Sequence, residues 1–122
     1  MDETIGAVII APQVITTVVR QVTEATPGVA YLSSSLSGRM SRVLRGSRSA
    51  SGIDVSVQDG AVSIDVYVVA MPNVPLLPLG QTLQREIHSA ISDVVGMPVF
   101  AVNIHFADVQ NPFDAATATL PA

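Results

Sequence analysis

Ile53-Asp54-Val55-Ser56-Val57-Gln58-Asp59-Gly60-Ala61-Val62-Ser63-Ile64-Asp65-Val66-Tyr67-Val68 is the stretch on which the fold turns. Ile53, Val55 and Val57 alternate with Asp54, Ser56 and Gln58; beyond Asp59-Gly60, Val62, Ile64, Val66 and Val68 alternate with Ser63, Asp65 and Tyr67. Alternation with period two sends the apolar set to one side of a strand and the polar set to the other. An Asp-Gly pair tolerates the positive φ angles of a tight hairpin turn. The stretch therefore predicts a β-hairpin with one buried face and one solvated face.

Downstream, the proline-rich run from Met71 to Pro78 leads into Leu79, Leu83, Ile87, Ala90, Ile91, Val94 and Val95, a helical stripe closed by Gly96 and Pro98. Val102-Asn103-Ile104-His105-Phe106 then alternates as a final strand. Upstream, Ile5 to Ile10 is short, apolar and β-branched, and it ends at Ala11-Pro12, which predicts a first strand. Pro12 suits the first turn of a helix that carries Val14, Ile15, Val18, Val19, Val22 and Ala25 on its apolar side and stops at Thr26-Pro27-Gly28. Val29 to Leu32 is a brief extended segment. Between it and the hairpin lies a serine-rich stretch with a short helix over Leu36 to Leu44.

The expected order is β-α-(β)-β-β-α-β, an α+β two-layer sandwich whose mixed, mostly antiparallel sheet carries two main helices on one face. The chain has 122 residues, a length that suits one domain over residues 1–110. A flexible Ser/Arg-rich loop at about 33–52 and a disordered tail at 111–122, rich in alanine and threonine, complete the expected organisation.

Composition narrows the function. Cysteine is absent, which removes disulfides, thiol nucleophiles and thiolate metal sites. No apolar run reaches the roughly 20 residues of a membrane-spanning helix, and Met1-Asp2-Glu3-Thr4 places no positive region before the apolar stretch, so the expected location is cytoplasmic. The net charge of −4 argues against the chain as a whole binding nucleic acid.

The candidates for chemistry are few. His88 and His105 with Asp93 or Asp108 lack the short ligand spacings of a metal site, so no metal is expected. Asp54 and Asp65, on opposite arms of the hairpin, are a candidate carboxylate pair, but both fall on the solvated face, where a carboxylate is not tuned for proton transfer near neutral pH. The serines of 33–51 form no nucleophile elbow, and Gly38, Gly46 and Gly52 form no phosphate loop because the chain contains no lysine. No catalytic residue, cofactor or small-molecule substrate is expected.

One segment invites a contact. Arg39, Arg42, Arg45 and Arg48 are four of the six basic residues, all arginine, and acidic residues lie elsewhere. Such a segment suits phosphates, acidic lipid head groups or an acidic protein surface. A spacing of three spreads these side chains around a helix, and no aromatic residues are interleaved for base stacking, so the plainer expectation is a solvated loop. Val69, Met71, Val74, Leu76 and Leu77 form a second candidate, a self-association edge or simple core packing.

The order of elements resembles the alkaline shock protein family over about Ile5 to Val109. The resemblance is carried by Gly6 through Pro12, Pro27-Gly28-Val29-Ala30, Gly60 through Val69, Leu83-Gln84-Arg85-Glu86-Ile87 with Gly96, and Val102 through Phe106. It implies a bacterial intracellular protein tied to envelope stress and cell-envelope homeostasis, with no known catalytic residues. It further implies self-association or docking on a membrane-anchored protein partner, so that any membrane contact is indirect. The expected function is thus a non-catalytic scaffold or interaction protein. The alternative is an anion-binding module that meets nucleic acid or acidic lipid through the arginine segment.

Overall fold

The structure, a computed structural model, describes residues 5–33 and 52–111. Helix α1 spans Pro12–Ala25, with Pro12 in its first turn. Strand β1 is Val29–Leu32, β2 is Ile53–Gln58 and β3 is Ala61–Ala70. Helix α2 spans Leu76–Ala90, continues as a π-helical turn at Ile91–Val95, and is followed by β4 at Val99–Val109. The fold is α+β, as the hairpin and the helical stripes predict.

Strand β3 is the centre of the sheet. One of its edges pairs with β4 in parallel; the other pairs antiparallel with β1 and β2, which lie end to end. Leu32 pairs with Val68 and Ile53 with Val66, and Tyr67 spans the junction. Its carbonyl accepts from the Ser33 N–H at 2.7 Å, and its own N–H donates to the Gly52 carbonyl at 2.8 Å. β1 and β2 are therefore two halves of one edge strand, interrupted where residues 34–51 depart and return. Gly52 has φ +86°, and a Cβ there would stand 2.4 Å from the Ser33 carbonyl oxygen. The junction closes because position 52 carries no side chain.

The hairpin turn has the chemistry its sequence promises, with Asp59 at φ 54° and Gly60 at φ 77°. Val62, Ile64, Val66, Val68 and Ala70 are fully buried on the face that both helices cover. Ile15 and Val19 of α1, and Leu79, Leu83, Ile87 and then Ile91 at steps of four along α2 and the π-helical turn, complete this core. Thr23 is also buried, and its hydroxyl donates to the Val19 carbonyl at 2.7 Å, so the polar group is satisfied inside the helix. Gly96, at φ 83°, ends the helical stretch, and its N–H donates to the Ile91 carbonyl.

Four expectations are corrected or fall elsewhere. Ile5 to Ile10 is not a strand: no described strand pairs with it, Gly6 turns the backbone at φ +109°, and Ile5, Val8 and Ile9 are about nine-tenths exposed. Strand propensity does not make a strand without an edge to pair with, and of this segment only Ile10 packs against the core. Helix α2 starts at Leu76, before Pro78, because the first helical turn has no internal use for a proline N–H. Strand β4 runs beyond 102–106 at both ends. The helix expected at Leu36 to Leu44, most of the 33–52 loop and the tail after Asn111 lie outside the described residues.

Candidate functional site

Among the described residues the helices cover one face of the sheet and none covers the other, the open face. On that open face the antiparallel β2–β3 register sets Asp54 opposite Asp65 and Ser56 opposite Ser63, while the parallel β3–β4 register sets Asn103 beside Asp65 and His105 beside Tyr67. The His105 ring stacks on the Tyr67 ring with centroids 4.4 Å apart and planes 14° from parallel. Its Nε2 lies 2.9 Å from Asp65 Oδ1, a hydrogen bond when Nε2 carries the proton and an ion pair when the imidazole is charged. Both side chains remain more than a third exposed, at 43% and 36%. Solvent therefore screens the pair, and it adds little to stability.

A second polar chain crosses the far end of the sheet. The Tyr31 hydroxyl donates to Gln110 Oε1 at 2.6 Å, and Gln110 Nε2 donates to Asp108 Oδ2 at 2.8 Å. The Val109 N–H donates to Asp108 Oδ1 at 2.8 Å. Strands β1 and β4, on opposite edges, are thus tied over β3. The Val109 N–H and, secondarily, the Gln110 amide hold the Asp108 carboxyl below its ordinary value of 3.8, against a small opposing effect of desolvation. A depressed carboxylate contributes stability above its unfolded pKa, and this is lost as pH falls through the folded value. An NMR titration of Asp108 should give a midpoint below 3.8. Gln110→Ala should restore only part of the shift, because the backbone donor is the larger cause.

On the helical side, a groove of about 350 Å³ runs between α2 and β4, lined by Leu76, Leu77, Gly80, Gln81, Gln84, Ile104 and Phe106. A Cβ on Gly80 would meet the Phe106 ring at 3.3 Å, so the glycine lets the ring lie against the helix. Gln84 Nε2 donates to the Val102 carbonyl at 3.0 Å, which fixes α2 over the strand. β4 pairs only with β3 among the described residues, and none of them pairs with its outer edge. Phe100 on β4 is 80% exposed, and Leu77 on the groove is 73% exposed.

The structure separates several residues that the sequence grouped. His88 is exposed on the helical layer and His105 on the opposite face, so the sheet lies between them; among the described residues no three histidine, aspartate or glutamate side chains converge on one point. Asp54 and Asp65 do meet across the hairpin, but Asp65 is taken up by His105. Of the apolar candidate, Val69 is buried, Met71 is half-buried, Val74 and Leu76 pack against the core, and Leu76 and Leu77 line the groove. Arg39, Arg42, Arg45 and Arg48 lie outside the described residues. Sequence reasoning missed the His105–Asp65–Tyr67 cluster. The alternation had placed all three on polar faces, but nothing in it gives the register of a parallel pair joined through a helix.

Among the described residues no helix is long and apolar enough to cross a membrane. Residues 1–111 match the model of the alkaline shock protein family, whose description is a cell envelope-related function. Two relatives are similar over most of their length. Spy1535 of Streptococcus pyogenes serotype M6 is 28% identical over 104 residues, covering 84% of this chain and 78% of its own. YqhY of Bacillus subtilis is 26% identical over 113 residues, covering 89% and 81%. No solved structure matches. The resemblance read from the strands and glycines is thus matched along nearly the whole chain, which belongs to the alkaline shock protein family, a family with a cell envelope-related function.

Proposed function

We propose that this chain is a non-catalytic scaffold or interaction protein of the cell envelope that associates with further copies of itself. Docking on a membrane-associated protein partner is the second half of the same role, and it would place a cytoplasmic chain at the membrane indirectly. The observation that carries the reading is β4, a strand of 11 residues whose outer edge is unpaired among the described residues and which lies beside an apolar groove. Long open edges with apolar neighbours invite pairing with another chain. The polar groups of the open sheet face support the reading from another direction. His105, Asp65 and Tyr67 bind one another on an exposed surface, where a substrate would find no enclosure.

Sedimentation velocity over a wide micromolar range, at low and high salt, tests this. The expected result is a sedimentation coefficient that rises with concentration. A constant monomer would overturn self-association. Assembly that weakens with salt, and loses that dependence when Arg39, Arg42, Arg45 and Arg48 are all changed to alanine, would move the contact to the arginine segment and favour the anion-binding alternative.

A further inference from the structure

We infer that the segment Ile5–Ile10 of one copy adds as a strand to the outer edge of β4 in a second copy, with its apolar side chains over the α2–β4 groove. The inference rests on the self-association reading and names its surfaces. Two features of the chain are each incomplete and each complete the other. Ile5-Gly6-Ala7-Val8-Ile9-Ile10 has the composition of a strand, pairs with no described strand, and exposes Ile5, Val8 and Ile9 at 95%, 92% and 88%. β4 offers backbone groups that are unpaired among the described residues, beside an apolar groove whose lining includes Leu77, Ile104 and Phe106. In a strand laid on that edge, alternate residues Ile5, Ala7 and Ile9 fall on one face, which is the arrangement an edge-plus-groove site reads. Gly6, at φ +109°, is a glycine, and a glycine backbone takes up the extended conformation without a side-chain penalty.

Two alternatives are weaker on the same geometry. The other edge of the sheet is broken at Ser33 and Gly52 into runs of 4 and 6 residues, against the 11 of β4. The segment of the same chain starts from α1, which packs over β1 and β2 at the opposite edge from β4. It would have to cross the sheet, roughly 10 Å at strand spacing, and six residues extend only about 20 Å. Half of the segment would be consumed before pairing began. Pairing along the whole six-residue segment therefore takes place between copies.

The test uses the full chain in two variants whose changes fall on exposed side chains and leave the core untouched. Val8→Asp with Ile9→Asp disables the donor, and Leu77→Glu disables the acceptor groove. By sedimentation velocity each variant alone should associate at least about tenfold more weakly than the parent. An equimolar mixture should recover a one-to-one complex, because each variant retains the surface the other lacks. If the donor variant assembles like the parent, or if the mixture stays monomeric while the parent assembles, the strand addition is wrong and self-association proceeds through another surface. A parent chain that is monomeric throughout overturns both this inference and the reading beneath it.

Discussion

Gly52→Ala is expected to destabilise the fold by about 3 kcal/mol, seen as a fall in the denaturant midpoint at unchanged slope. Two costs combine at this position. Its φ of +86° is a conformation that an L side chain rarely adopts. The added Cβ would also stand 2.4 Å from the Ser33 carbonyl oxygen and 3.2 Å from that of Tyr67, and both are backbone atoms that cannot rotate away. Relief of the clash would pull apart the Ser33–Tyr67 and Tyr67–Gly52 hydrogen bonds that join the two half-strands to β3. Gly60→Ala is the matched control. It too has positive φ, +77°, but nothing lies within 4 Å, so only the conformational cost of about 1 kcal/mol should remain. Equal losses at the two positions would show that the close approach at Ser33 contributes nothing.

Ile64→Ala should cost about 4 kcal/mol in the same measurement, and Ile64→Val about 1 kcal/mol. Ile64 is fully buried at the middle of the central strand, with Val55 and Val102 as its neighbours on β2 and β4. It belongs to the core cluster that both helices share with the sheet, and its strand is held by backbone ladders on either side. The site therefore has little freedom to collapse, and the cavity remains. Val57→Ala, on the neighbouring strand but 44% exposed, should lose well under half as much. A small effect at Ile64 would mean that the helical layer is not closed over β3.

The contrast between the hairpin and the rest explains what the sequence makes legible. Asp59-Gly60 fixes both the turn and the register, so Asp54 opposite Asp65 follows from counting residues away from the turn. The helical stripes are equally plain, because Leu79, Leu83, Ile87 and Ile91 recur at one turn each. Ile5 to Ile10 misleads because the pattern registers strand propensity and cannot register the absence of a neighbouring edge. β4 is legible as a strand, but its parallel register is set by the length and path of α2 and the π-helical turn, so the pairing of His105 with Asp65 has no local signature. The two-part edge is hidden for a related reason. β1 alone is four residues long and marginal as a strand; it becomes part of a longer one only through its partner on β3.

The meeting of Ser33 and Gly52 at Tyr67 makes residues 34–51 a parenthesis in the sheet. The chain leaves the edge at one point and resumes it one pair further on, with the ladder in step on either side. Closing a longer excursion between two ends already held together costs little more than closing a short one. The strand pairings on either side of the gap depend on Ser33, Gly52 and Tyr67. The whole edge is thus hinged on one position, Gly52, where the close approach of the Ser33 carbonyl leaves the backbone a single solution.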